Sequence, residues 1–213
     1  MNNSKKFDWP GWPLKNNPYG KEFDLAARKR MIAGSKTLNP FLKKYKKDLG
    51  SKILEVGPFF HPLITSKKYP KTKIFYWEND CNVLRYLKKN RPQKTVYPIY
   101  CDLNKITNNS FVKYKFHKTY FDSAVISQVF NYIDYERLLK TLKKFIKKDG
   151  LLFINNTVDY GLPAFFSHNR PKSIAHTIKT IEKNGYRILE QKILKSPNKK
   201  RQKRLIIVAK KDK

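Results

Sequence analysis

The chain has 213 residues, 47 Lys+Arg against 16 Asp+Glu and a formal charge of +31, a length that fits one globular domain plus an extension of about 40 residues. Phe 14, Tyr 13 and Trp 3 supply enough apolar material for a core, which excludes a disordered polycation. No uncharged run approaches the ~20 apolar residues of a membrane span, and Phe7 to Pro13 is too short and too rich in Trp and Pro for a signal peptide, so a cytoplasmic protein is expected.

Residues 1-50 read as an N-terminal extension, a cap or a lid, and residues 51-213 as the main domain. Trp9, Pro10, Gly11, Trp12, Pro13 and Pro18 make the first stretch irregular, because proline locks φ and donates no hydrogen bond. Glu22 to Ala33 predicts a helix ending at Gly34. Pro40 to Asp48 predicts another, with Asn39 as N-cap and Gly50 just past its end. From Lys52 onward strand and helix signals alternate, as in a layered α/β sheet with right-handed crossovers. The predicted strands are Ile53 to Val56, Ile74 to Trp77, Thr95 to Cys101, Phe121 to Ser127 and Leu151 to Asn155. Val83, Leu84 and Leu87 mark one intervening helix. Leu138, Leu139, Leu142, Phe145 and Ile146 mark another, with Asp134 as cap and Gly150 as terminator. A helix from about Lys172 to Lys183 carries Ile174, Ile178 and Ile181 at buried spacing and ends at Asn184-Gly185. Tyr186 to Leu194 and Leu205 to Lys210 follow as strands, and the short link between them predicts an antiparallel pair.

Cys81 and Cys101 fit neither a disulfide framework nor a zinc site, and both read as small core residues in a reducing compartment. His61, His117, His168 and His176 form no metal-binding pattern, so no metal is expected. The charge has two readings. Nine arginines against 38 lysines and 17 asparagines fit the solvated surface that an AT-rich genome encodes, since the planar guanidinium is the better phosphate fork. Polyanion binding by counterion release remains the other. The basic run Lys199, Lys200, Arg201, Lys203 and Arg204 reads as a solvated hairpin loop.

The first strand runs into Gly57 as Ile53-Leu54-Glu55-Val56-Gly57-Pro58-Phe59-Phe60-His61-Pro62. A missing side chain at the carboxyl end of a strand lets a nucleotide-like ligand approach the backbone. Glu78 ends the second strand 21 residues past Gly57, the spacing at which a carboxylate accepts both ribose hydroxyl protons. Cys101-Asp102-Leu103 ends the third and offers an acceptor to an exocyclic amine. On these residues the chain, over about 51 to 210, resembles the class I S-adenosylmethionine-dependent methyltransferases. Ile-Leu-Glu-Val-Gly-Pro is similar to that family's first motif in its Gly-Pro-x-x-x-Pro variant, and Glu78-Asn79-Asp80 to its ribose-binding turn. Cys101-Asp102-Leu103 is similar to the adenine-binding turn. Phe121 to Tyr132, with Ser127 and Gln128 at its centre, resembles the strand and segment that pass under the methionine moiety. Lys148-Asp149-Gly150 stands in for the turn before strand five.

The resemblance implies an α/β, Rossmann-like, seven-stranded, mostly parallel sheet with an antiparallel last strand. It also implies S-adenosyl-L-methionine as cofactor, with Glu55, Gly57, Pro58, Glu78, Asn79, Asp102, Leu103, Ser127 and Gln128 as its binding residues. Glu55 either meets the methionine amine or fixes the glycine loop. Asp102 contacts adenine or caps a turn. Phe59 and His61 stand where the family usually has further glycines and narrow the site, and the segment from Gly57 to Ile74 is short for a crossover helix. No catalytic acid-base pair is legible: His168 reads as a loop histidine, Asn131 and Tyr132 as packing. The methyl acceptor is unnamed by the sequence. A small molecule is slightly favoured over RNA, since no Asn-Pro-Pro-Tyr motif or aromatic-and-arginine platform follows strand four. A noncatalytic module of the same fold, holding nucleic acid or an acidic partner, is the rival. A nicotinamide oxidoreductase would carry a full Gly-x-Gly-x-x-Gly loop, and this chain does not.

Overall fold

A computed structural model describes residues 32–59, 61–90, 94–103, 120–158, 171–195 and 203–212. Phe7 to Tyr19, most of the helix expected from Glu22, Phe60, His117, His168 and the run Lys199 to Arg201 lie outside these residues. The described strands are β1 (Lys52–Val56), β2 (Lys73–Glu78), β3 (Val96–Tyr100), β4 (Phe121–Ser127), β5 (Ile146–Val158), β6 (Tyr186–Lys195) and β7 (Lys203–Lys211). The helices are α1 (Asn39–Lys44), α2 (Cys81–Asn90), α3 (Tyr135–Phe145) and α4 (Ile174–Lys183), with a further helical segment at 32–36.

The strands form one sheet in the order β3-β2-β1-β4-β5-β7-β6. Pairs from β3 to β5 are parallel, and β7 runs antiparallel to both β5 and β6. Strands covered on both faces read as nearly continuous apolar runs. Period-2 alternation splits them between two cores. Ile53, Ile74, Tyr76, Val125 and Phe153 face α1 and α2; Leu54, Phe75, Trp77, Ala124, Ile126 and Ile154 face α3. The chain turns from building one half of the sheet to the other between β1 and β4, and ligands bind at the carboxyl ends of strands beside such a switch point.

Helix ends follow local chemistry. The Asp134 side chain accepts from the Arg137 amide at 3.1 Å and starts α3, whose Leu138, Leu139, Leu142 and Phe145 are buried. The Ser173 hydroxyl accepts from the His176 amide at 3.1 Å and starts α4. That helix ends where Gly185 takes φ 82°. Its stripe holds Ile181 together with Thr177 and Thr180, which bury because their hydroxyls donate to the Ser173 and His176 carbonyls.

Four expectations are corrected. Leu38, not Asn39, is the N-cap of α1, and the helix stops at Lys44. Helical backbone continues past Gly34 to residue 36. Cys81 is exposed, because the first residue of α2 faces away from the stripe of Val83 and Leu87. Gly150 does not terminate α3. The helix ends at Phe145, and β5 begins at Ile146 with a bulge: Phe121 pairs with Ile146, then Ser123 with Leu151. A Cβ on Gly150 would lie 2.7 Å from the Asp122 carbonyl oxygen, so close approach explains the glycine.

Asp122 fastens the opposite, amino end of the sheet. Its Oδ2 accepts from the backbone amides of Ser51 and Lys52, both at 2.8 Å, and Oδ1 takes the Lys147 ammonium. Partial burial pushes the carboxyl upward in pKa, but Lys147 and the two amides outweigh it and hold it below the usual range. A depressed folded pKa contributes stability above the unfolded value of about 3.9, lost as pH falls through the folded value. Asp122→Ala is expected to cost about 1–2 kcal/mol at pH 7, with the gap from wild type closing below about pH 4. Urea denaturation across pH checks this, and a gap that does not narrow in acid would contradict the assignment.

Candidate functional site at the carboxyl ends of the strands

The connection from β1 to β2 is built around Glu55. This side chain is 2% exposed; its Oε1 accepts from the Leu63 amide at 2.8 Å and its Oε2 from the Ile64 amide at 2.9 Å. The Tyr76 hydroxyl donates to the Ile64 carbonyl from the sheet beneath. These bonds hold the segment that follows the glycine turn. Among the described residues, 57–72 contain turns and no helix, as the short spacing suggested. Backbone amides tied to a buried carboxylate replace helical hydrogen bonding there.

Gly57 leaves β1 at φ 61°, donating its amide to the Trp77 carbonyl at 2.8 Å. A Cβ here would fall 2.7 Å from Val129 Cγ2, so the position needs glycine for conformation and for space. Pro58 is buried. Phe59 is left-handed, φ 52°, and its half-buried side chain packs with the α1 and α2 core. Its amide donates across the crevice to Glu78 Oε2 at 3.1 Å.

Glu78 is 6% exposed at the tip of β2. Its Oε1 accepts from the Asn79 amide at 2.9 Å and the Asp80 amide at 3.2 Å. Burial pushes its pKa up, and the three amides only partly offset this. Asn79 is exposed beside it, and Asp80 Oδ1 accepts from Val83 N at 3.3 Å at the start of α2. Just past β3, the Cys101 amide donates to the Glu78 carbonyl at 2.9 Å. The Cys101 thiol is pushed up to about 12, by burial first and the neighbouring Asp102 second. Asp102 is half-buried and Leu103 buried at the same edge. The fold thus gathers Glu55, Gly57, Pro58, Glu78, Asn79, Asp102 and Leu103 at three adjacent strand ends.

Ser127 and Gln128 sit across the switch point at the end of β4, but their side chains serve a network that sequence reading missed. Ser127 Oγ bonds Ser35 Oγ at 3.1 Å. Gln128, left-handed at φ 62°, donates its amide to the Asn155 carbonyl at 2.7 Å, and its Oε1 accepts from Thr157 Oγ1 at 3.1 Å. Fully buried Asn155 is the hub: Nδ2 donates to the Gly34 carbonyl at 2.8 Å, and Oδ1 accepts from Arg204 at 3.1 Å. Arg204 is therefore a half-buried strand residue, not part of a solvated loop, because β7 brings it beside β5. Asn131 Nδ2 donates to the Thr157 carbonyl at 3.0 Å, and Tyr132 packs against the core. The signal in the sequence was Asn155-Asn156-Thr157, three polar residues ending an apolar strand at the ligand-binding edge. Among the described residues, no group of three His, Cys, Asp or Glu could hold a metal ion, and no helix is long and apolar enough to cross a membrane.

No protein-family model matches the chain, and no curated protein does. Solved structures match over most of its length. An S-adenosylmethionine-dependent methyltransferase from Mesorhizobium loti is 13% identical at TM-score 0.62, covering 81% of this chain and 96% of its own. A TehB-like SAM-dependent methyltransferase from Corynebacterium glutamicum is 16% identical at TM-score 0.58, with 93% and 100% covered. The [4+2]-cyclase SpnF is 12% identical at TM-score 0.64, with 84% and 80% covered. Strand order, the antiparallel β7 and these neighbours together make the fold that of the class I S-adenosylmethionine-dependent methyltransferases.

Proposed function

We propose that the chain binds S-adenosylmethionine and transfers its methyl group to an acceptor, with a small molecule slightly favoured over RNA. The observation that carries this is the pairing of Gly57, where a side chain cannot fit, with the buried acceptor Glu78 one strand away. In this reading a sugar lies between them, with Glu78 taking hydroxyl protons and Asn79 at the rim, while Asp102 and Leu103 face the base. The backbone at Ser127 and Gln128 borders the methionine end. When bound, the sulfonium supplies an already activated methyl group, so the protein's task is to align and to exclude water. Cys81 and Cys101 are free, in keeping with work in a reducing cytoplasm.

The charge of +31 favours a second reading, a noncatalytic module that holds nucleic acid or an acidic partner. The neighbour that is a cyclase is a reminder that fold and reaction are separable. Calorimetry with S-adenosylmethionine and S-adenosylhomocysteine distinguishes the two: micromolar binding is expected, and no heat with either would sink the enzyme reading. RNA retention that collapses with salt irrespective of sequence would mark the charge as generic.

A further inference from the structure

A carboxylate offers about four lone-pair positions. In Glu78 three are taken: two on Oε1 by the Asn79 and Asp80 amides, one on Oε2 by the Phe59 amide. One position is left for a sugar that brings two hydroxyls. The Asn79 and Asp80 amides adjoin Glu78 in the chain and turn with it into α2, so they stay. Phe59 belongs to a different segment, reaching Glu78 from 19 residues away. It does so from a left-handed backbone, φ 52°, that a residue with a side chain disfavours. Its ring, packed with the α1 and α2 core, holds it there. We infer that the Phe59 amide and the nucleoside sugar compete for Glu78 Oε2, so that the 57–59 turn is a latch across the site, closed in the free protein and displaced on binding. The inference rests on the nucleoside reading above. The latch makes affinity depend on how firmly the Phe59 ring is seated, a residue that need never touch the ligand.

The test uses the full chain with sinefungin as probe. A through-hydrogen-bond coupling between the Phe59 amide nitrogen and the Glu78 carboxyl carbon is expected in the free protein and lost in the complex. Phe59→Ala, which unseats the ring but keeps the amide, is expected to lower the sinefungin dissociation constant threefold or more. Three results overturn the latch alone: a coupling absent from the free protein, a coupling that persists in the complex, or unchanged or weaker binding by Phe59→Ala. If neither protein binds sinefungin, the nucleoside reading has failed and takes the latch with it.

Discussion

Glu78→Ala is expected to raise the dissociation constant for S-adenosylhomocysteine about 5- to 150-fold, corresponding to ~1–3 kcal/mol of lost charge-assisted hydrogen bonding. The carboxylate touches the site twice over. It is the buried acceptor available to the sugar, and it gathers the Phe59, Asn79 and Asp80 amides that shape the surrounding turns. Losing it removes the acceptor and leaves three donors to find water, so a lower melting temperature accompanies the weaker binding. Burial raises the Glu78 pKa, and the ionised form is the better acceptor. As pH is lowered, affinity should therefore begin to fall above the ordinary Glu range of about 4.3. The same shift makes Glu78 contribute stability below its unfolded pKa and lose that contribution as pH rises through the raised folded value. Titration calorimetry between pH 5 and 8 measures the affinity, and a dissociation constant unchanged by the substitution would refute the assignment.

Gly57→Ala is expected to destabilise the protein by about 2–5 kcal/mol. About 1–2 comes from forcing a side-chain-bearing residue to the left-handed φ of 61°, and about 1–3 from overpacking against Val129 Cγ2, 2.7 Å from the new Cβ. The backbone must shift, and it carries Phe59 and its bond to Glu78 with it, so nucleoside binding should weaken as well. Val129→Ala makes room for the methyl group but does nothing for φ. The double variant should therefore be less destabilised than the two single changes added together, a coupling read from urea midpoints. Additive losses would place the whole cost in the backbone, and a Gly57→Ala protein within about 0.5 kcal/mol of wild type would remove the steric account altogether.

The parallel sheet was legible because β1, β2 and β4 are short apolar runs with the right separation, and such runs bury on both faces. Helix α3 was legible from Leu138, Leu139 and Leu142 at one-face spacing, with Asp134 ahead of them. The end of α3 was misread, since a glycine at position 150 serves a helix terminus or a close approach equally well, and only the proximity of the Asp122 carbonyl distinguishes them. At the site, Gly57 and Glu78 stood out as a spacing, whereas the bond between Phe59 and Glu78 did not, because nothing in a phenylalanine's identity announces what its backbone amide will do.

What the amino-acid order determined by itself is therefore what local periodicity and the chemistry of single residues govern: the strand and helix sequence, the Asp134 cap, the fold class and the acidic and glycine positions at the strand ends. The tertiary structure alone decided that Glu55 holds the Leu63 and Ile64 amides, that Arg204 lies against Asn155, and that Asn155 pins the Gly34 carbonyl 121 residues away. Hydrogen bonds of that kind join groups whose separation along the chain carries no information. Burial selects them, since a polar atom taken out of water must find whichever partner the fold has brought within reach.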